Sequence, residues 1–293
     1  MSKFMSPVWA ADIFVGKVVL CTGGAGDICS AQVSALVQLG ANAAIIGRRK
    51  EKTESKAAEI QSLRAGSKVI GISADVRDFK AMSAAVERTV AELGRIDYVI
   101  CGAAGNFLAT IQNLSANAFK AVIDIDVLGS YNTVKAALDE IKKNRGKILF
   151  VSATLHYNGL PYQAHVSAAK AAIDALSQVL CVEMGPYGVT SNCIAPGPIS
   201  GTEGMARLSR ADILESMTKN VPLQHFGEVK DVADATIFLF SPAGDFISGD
   251  VIVVDGGAWH RQGTAGSGMP YPESVLSESI VDGVKGMKRG SKL

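Results

Sequence analysis

The hydrophobic positions of this chain fall into two alternating patterns. Short runs that are apolar nearly end to end stand at about 17–22 (KVVLCT), 43–47, 68–74, 96–101 (IDYVIC), 147–152 (KILFVS), 189–194 and 250–254. Runs of this kind fit strands buried on both faces of a parallel sheet. Longer stretches with helical spacing lie between them, near 26–39, 51–64, 79–93, 115–142, 163–184 and 229–240. In the third, Met82, Ala85, Val86, Val90 and Leu93 make the i, i+3/i+4 stripe of a helix with one buried side. Seven strands alternating with helices predict an α/β fold: a Rossmann-type doubly wound parallel seven-stranded sheet with helices on both faces. Right-handed crossovers then place the ligand crevice at the carboxyl ends of the strands.

The rhythm predicts one domain over residues 14–260. Residues 199–224 interrupt it with mixed polarity and read as a helical flap over the crevice, and 261–293 read as a tail. With 48% apolar residues in 293, the chain can bury a large core. Lys+Arg 29 against Asp+Glu 28 leaves no basic stripe for a nucleic acid. No apolar run approaches the ~18 residues of a membrane span, and the N-terminus lacks the apolar region of a secretory signal. Cys21, Cys29, Cys101, Cys181 and Cys193 show no C-x-x-C spacing and read as free, mostly buried thiols of a reducing compartment. The last three residues, Ser291-Lys292-Leu293, spell the peroxisomal address.

The first strand runs into Thr22-Gly23-Gly24-Ala25-Gly26-Asp27-Ile28-Cys29. Glycines at that turn let the backbone approach a pyrophosphate, which free N–H groups and the dipole of the following helix attract. The second strand ends in Gly47-Arg48-Arg49-Lys50, where an NAD site carries an acid for the ribose 2′-OH. Arg48 and Arg49 suit a 2′-phosphate instead, since planar guanidinium groups bind it in two places. The plainer reading, a solvated helix start, sets positive charge against the helix dipole. The expected cofactor is NADPH, with Asp75 at the end of the third strand reaching the adenine.

With CGAAGNFL (101–108), NAFKAVIDID (117–126), VSATL (151–155), Lys170, APGPISGTEG (195–204) and VDGGAW (254–259), the chain resembles the short-chain dehydrogenase/reductase family over about 14–260. Within it, the resemblance is to the peroxisomal 2,4-dienoyl-CoA reductase branch. That resemblance implies cofactor contacts from Thr22, Gly23, Gly24, Gly26, Asp27, Ile28, Val76, Ala103 and Lys170. It also implies a segment from Pro196 and Gly197 through Ile199 to Thr202 wrapped round the nicotinamide. Arg77, Phe107, Ser115, Asn117 and Arg207 match positions that hold the acyl-CoA. For the arginines, either phosphate binding or plain solvation fits the residue type.

Two departures from the family pattern matter. Asp27 and Cys29 stand where its phosphate loop usually has glycines, and a carboxylate there repels a pyrophosphate unless turned away, for instance as a helix cap. Carbonyl-reducing members use Tyr-x-x-x-Lys with an Asn and a Ser. Here Val166 precedes Lys170 by four, Asp126 takes the Asn place, and Ala153 the Ser place. Without a phenol no proton reaches a carbonyl oxygen, but reduction of a conjugated C=C returns its proton to carbon and needs none there.

Asp124 has Lys120 at i−4 and reads as a surface ion pair. Asp126 has no basic partner on its own helical face and is the expected acid, delivering a proton through water with Lys170 as electrostatic partner. Asn106, after the fourth strand, is the candidate donor to the thioester oxygen, with a local turn bond as the alternative. His165 is read as a cap or flap contact, and Tyr157 as only a weak substitute for the missing phenol. The reading is an NADPH-dependent 2,4-dienoyl-CoA reductase of the peroxisomal matrix acting in unsaturated fatty-acid breakdown. Its partners would be the acyl-CoA, the import receptor, and further copies in a homodimer or homotetramer. The alternatives are a trans-2-enoyl-CoA reductase and a non-catalytic NADP-binding subunit.

Overall fold

A computed structural model describes residues 3–208 and 217–261, with the backbone alone at 206–208. Its seven strands are β1 (Val18–Thr22), β2 (Asn42–Gly47), β3 (Val69–Ser73), β4 (Tyr98–Cys101), β5 (Lys147–Val151), β6 (Thr190–Pro196) and β7 (Val251–Val254). They pair in parallel in the order β3-β2-β1-β4-β5-β6-β7. The strand order reverses between β1 and β4, and the crevice opens at their carboxyl ends.

Alternation within each strand sends side chains to two cores. Val19 and Cys21 join α1 (Asp27–Gln38), α2 (Lys50–Gln61) and α9 (Val229–Phe240) on one face. Leu20 joins α3 (Phe79–Leu93), α5 (Gly129–Asn144) and α7 (Ala164–Met184) on the other. All seven strands and the six main helical stretches stand within a few residues of the expected places. On the first face, Asp234 anchors the N-terminal segment by accepting from the Ser6 amide and from Trp9 Nε1 at 2.6 Å.

One helical stretch is corrected. The single helix expected over 115–142 is α4 (Ala116–Ile123), a π-helical turn (Asp124–Leu128) and α5. Gly129 explains the close approach at this point, because a Cβ there would run into the Val76 side chain. A π-turn shifts the following side chains round the axis and is common at functional sites. Here it carries Asp126. The short helix α6 (Leu155–Asn158) has no counterpart in the expected pattern.

In the flap, α8 (Glu203–Leu208) and a helical turn at 217–220 are seen, and Ile199 bridges to Gly227. Residues 209–216, and the tail beyond 261 with its Ser291-Lys292-Leu293, lie outside the described residues. No described helix is long and apolar enough to cross a membrane.

Candidate active site

The turn after β1 is a cradle that only glycines fill. Gly23 sits at φ +69°, and a Cβ on it would come 2.6 Å from the Gly102 carbonyl oxygen. A Cβ on Gly24 would lie 2.6 Å from Ile45 Cβ. Thr22 is buried, and its hydroxyl accepts from the Gly102 amide at 3.3 Å, tying the turn to the end of β4. Cys29 takes the space that a side chain on Gly102 would occupy, so the thiol fills what the missing glycine would leave open. Asp27, the other departure, is turned away from the loop: its Oδ2 accepts the Glu203 amide at 2.7 Å, at the first residue of α8. The carboxylate caps the flap helix instead of the helix it belongs to.

Arg48 and Arg49 are exposed after β2, and neither guanidinium has a salt-bridge partner among the described residues. A glycine cradle with two exposed guanidinium groups beside it fits a nicotinamide dinucleotide. Asp75 and Arg77 engage each other, with Arg77 Nη2 2.6 Å from Asp75 Oδ2. The Arg77 guanidinium hydrogen-bonded to Asp75 holds its carboxyl below the usual carboxylate range. Val76 and Ile199 are buried, so their backbones are what they can offer a cofactor. Gly197 packs so closely on Asp255 that no side chain fits, and Thr202 Oγ1 bonds the Ile199 carbonyl to hold the turn after β6.

At the centre, Asp126 is wholly buried. Its Oδ1 accepts the Gly105 amide at 2.8 Å, and its Oδ2 lies 3.1 Å from Lys170 Nζ. That contact is an ion pair without hydrogen-bond alignment, so Oδ2 has no hydrogen bond from any described residue. Lys170 in turn donates to the Val151 carbonyl at 3.0 Å, at the end of β5. The basic partner that Asp126 lacks on its own helix therefore comes from α7. Asp124 pairs with Lys120 on the surface, as expected. Val166 is buried beside Val122 and Ala169, and no phenol stands in its place.

His165, expected as a cap or flap contact, makes no hydrogen bond to a described residue. It is wholly buried and stacks on Phe107, with ring centroids 4.2 Å apart. Asn106 is exposed beside Phe107, and no hydrogen bond to a described residue holds its amide. Ser115 caps α4 by accepting the Ala118 amide, and Asn117 is exposed in the first turn. Ala103 stands just past β4, and Pro196 closes β6. The side chain of Arg207 lies outside what the structure describes. Tyr157, on α6, packs edge-on to His156 and Trp259. Burial pushes its phenol up to about 12, which makes it a poorer acid.

One pair has no counterpart among the expected site residues. His156 Nε2 lies 2.9 Å from Asp174 Oδ2, one helical turn beyond Lys170 on the buried side of α7. The i+4 spacing of Lys170 and Asp174 was a usable signal, but the histidine comes from a different helix. All five cysteines are free, and burial pushes the thiols of Cys101 and Cys193 well up, consistent with inert packing.

A family model described as enoyl-(acyl carrier protein) reductase matches residues 23–259. The peroxisomal (3E)-enoyl-CoA-producing 2,4-dienoyl-CoA reductase of Saccharomyces cerevisiae is 52% identical over 270 residues, 92% of each chain. The chain belongs to the short-chain dehydrogenase/reductase family. The enzyme of the same description from Arabidopsis thaliana is 40% identical over 265 residues, 87% of this chain and 88% of its own. Among solved structures, the citronellol catabolism dehydrogenase of Pseudomonas aeruginosa superimposes with a TM-score of 0.75 at 29% identity, covering 86% of this chain and 98% of its own. The family match at 23–259 runs from the glycine turn through β7, the span over which the cradle and the Asp126–Lys170 pair are assembled.

Proposed function

We propose that this chain is an NADPH-dependent 2,4-dienoyl-CoA reductase that releases a 3-enoyl-CoA. The observation that carries the reading is the buried Asp126–Lys170 pair at 3.1 Å with Val166 in the phenol's place. A site that must protonate a carbonyl oxygen needs a donor where this one has a valine. The names of the curated relatives in yeast and Arabidopsis support the same reaction.

Thr22, the Gly23–Gly26 turn and Lys170 would hold the cofactor, with Arg48 and Arg49 on its 2′-phosphate and the Pro196–Thr202 segment over the nicotinamide. NADPH bound there supplies the hydride. When C5 of the dienoyl thioester gains hydride, electron density moves through the conjugated system to the thioester oxygen. Asn106 donates a hydrogen bond to that oxygen. Asp126, with its unshared Oδ2, orders a water and passes a proton through it to C2, which leaves the double bond between C3 and C4. Lys170 keeps Asp126 oriented and balances the carboxylate left once its proton has passed to C2; solvent returns that proton before the next turnover. Phe107, Ser115, Asn117, Arg77 and Arg207 hold the acyl-CoA.

Purified protein with NADPH and 2,4-hexadienoyl-CoA should show loss of the cofactor's absorbance, and the product should carry its double bond at C3. A product saturated at C2–C3 from a 2-enoyl-CoA would favour the trans-2-enoyl-CoA reductase reading. No turnover with NADPH bound would favour a non-catalytic subunit.

Residence in the peroxisomal matrix is part of the proposal, supported by the relatives' names and by Ser291-Lys292-Leu293 as a ligand of the import receptor. Deleting Leu293 should leave the protein cytosolic with unchanged activity, as imaging and assay would show. Exposed Leu128, Tyr131, Val179 and Val182 on α5, α7 and the turn before α5 support association into a homodimer or homotetramer.

A further inference from the structure

We propose that His165 is a second donor to the substrate's thioester oxygen, reached when the acyl chain pushes aside the Phe107 ring. The inference rests on the dienoyl-CoA reading above. His165 is wholly buried in the first turn of α7, yet neither ring nitrogen has a hydrogen-bond partner among the described residues. An imidazole in either charge state carries at least one N–H. Burying it unpaired is costly, and buried polar groups are as a rule paired. Gln163 Oε1 and Ser167 Oγ, on either side of it in sequence, are also buried without hydrogen-bond partners among the described residues. The start of α7 is thus polar and buried, but not satisfied by its own surroundings. A histidine kept only for packing would be better replaced by an apolar ring.

Its position ties it to the reacting centre. The helix that carries His165 carries Lys170, and the segment that carries Phe107 carries Gly105, whose amide holds Asp126. Phe107 lies over the imidazole at 26° between ring planes and is itself 38% exposed. The segment between β4 and α4 that bears it has no regular secondary structure over 102–110, so moving the phenyl breaks no helix or strand. An acyl chain entering beside Phe107 would displace a ring and expose an N–H.

The chemistry supplies the ligand. Hydride addition to a conjugated thioester puts charge on the thioester oxygen, and donors fixed in advance stabilise it best. Asn106 is exposed and unheld, whereas the His165 ring is already locked in place. Two donors from the two segments would converge on one oxygen.

The test compares His165→Phe, which keeps the stack and removes the donor, with His165→Gln, which keeps a donor. The first readout needs no cofactor: the ultraviolet spectrum of 2,4-hexadienoyl-CoA bound to the protein. Polarisation of the conjugated carbonyl shifts that band to the red in the wild type. The shift should shrink in His165→Phe, where Asn106 remains as the one donor, and be kept in larger part in His165→Gln. In turnover, His165→Phe should lose about 10²–10³-fold in kcat, His165→Gln less, and NADPH binding should be unchanged in both. Should His165→Phe misfold, His165→Leu serves with the same expectations. A folded donor-free variant with the full red shift and wild-type kcat overturns the proposal, as does a folded His165→Gln that loses the shift completely. Wild-type protein that neither binds nor reduces the dienoyl-CoA overturns the reductase reading first, and the role of His165 with it.

Discussion

The two ends of the cofactor site are built on opposite principles. At the end of β2, Arg48 and Arg49 stand in water without salt-bridge partners among the described residues, and the neighbouring Asp75–Arg77 pair is also partly exposed. At the other end, Asp126 is fully buried, and Lys170 nearly so at 7% exposure. Exposed cations attract a phosphate through screened, adjustable interactions, and their worth depends on residue type more than on exact placement. A buried ion pair depends on geometry. Removing one partner leaves a charge that water does not reach, so the loss exceeds that of the pair itself. In the proposed function, recognition lies at the tolerant end and proton transfer at the intolerant one.

The contrast can be broken most sharply at Asp126. Asp126→Asn keeps the shape and the acceptor for the Gly105 amide but removes the acid. It should lower kcat by about 10²–10⁴-fold with NADPH binding nearly intact, as stopped-flow turnover and cofactor fluorescence would show. Near-normal kcat would move the acid elsewhere. At the tolerant end, Arg48→Asp should raise the NADPH KM by about 10–100-fold, the loss of one or two charge-assisted bonds, with a smaller effect on NADH. An unchanged ratio of the two KM values would remove the 2′-phosphate assignment.

Asp27 sharpens the comparison, because it joins the phosphate turn to the flap through one hydrogen bond. Asp27→Gly, the family's usual residue, loses that tie and should speed NADPH release by about 3–10-fold, the worth of a single hydrogen bond. Asp27→Asn keeps an acceptor without the charge and should release the cofactor no faster than the wild type. Equal release from the glycine variant would show that the tie is incidental. The smallest effect is expected at Tyr157. Its phenol is a poor acid and makes no hydrogen bond to Lys170, which donates to the Val151 carbonyl, so Tyr157→Phe should hold kcat within about twofold of the wild type. A larger loss than at Asp126 would reverse the assignment of the acid.

Much of the architecture was legible because it is local. The strand runs, the helix stripe of α3 and the glycine turn each follow from residues a few positions apart, and handed crossovers set the crevice at the carboxyl ends of the strands. What escaped was the π-turn at Asp124–Leu128, since a one-residue insertion hardly disturbs an apolar stripe. The stack of His165 on Phe107 escaped for a related reason. The histidine's angle from Lys170 on an ideal helix suggests a different face, but in the first turn of α7 the segment carrying Phe107 covers that face as well.

The amino-acid sequence by itself determined the doubly wound sheet, the cradle for a dinucleotide, the basic end that suits a 2′-phosphate, and the loss of the phenol at Val166. Each depends on residue type and short spacing, which backbone sterics and side-chain chemistry translate directly into structure. The tertiary structure alone decided that the Lys170 expected beside Asp126 comes within 3.1 Å of it, that Asp27 reaches Glu203 across 176 residues, and that His165 lies beneath Phe107 with no hydrogen-bond partner for its nitrogens among the described residues. Those facts depend on which segments the packed core brings together. Burial then turns such proximity into chemistry, because a charge or an N–H removed from water acts on whatever the fold has placed beside it.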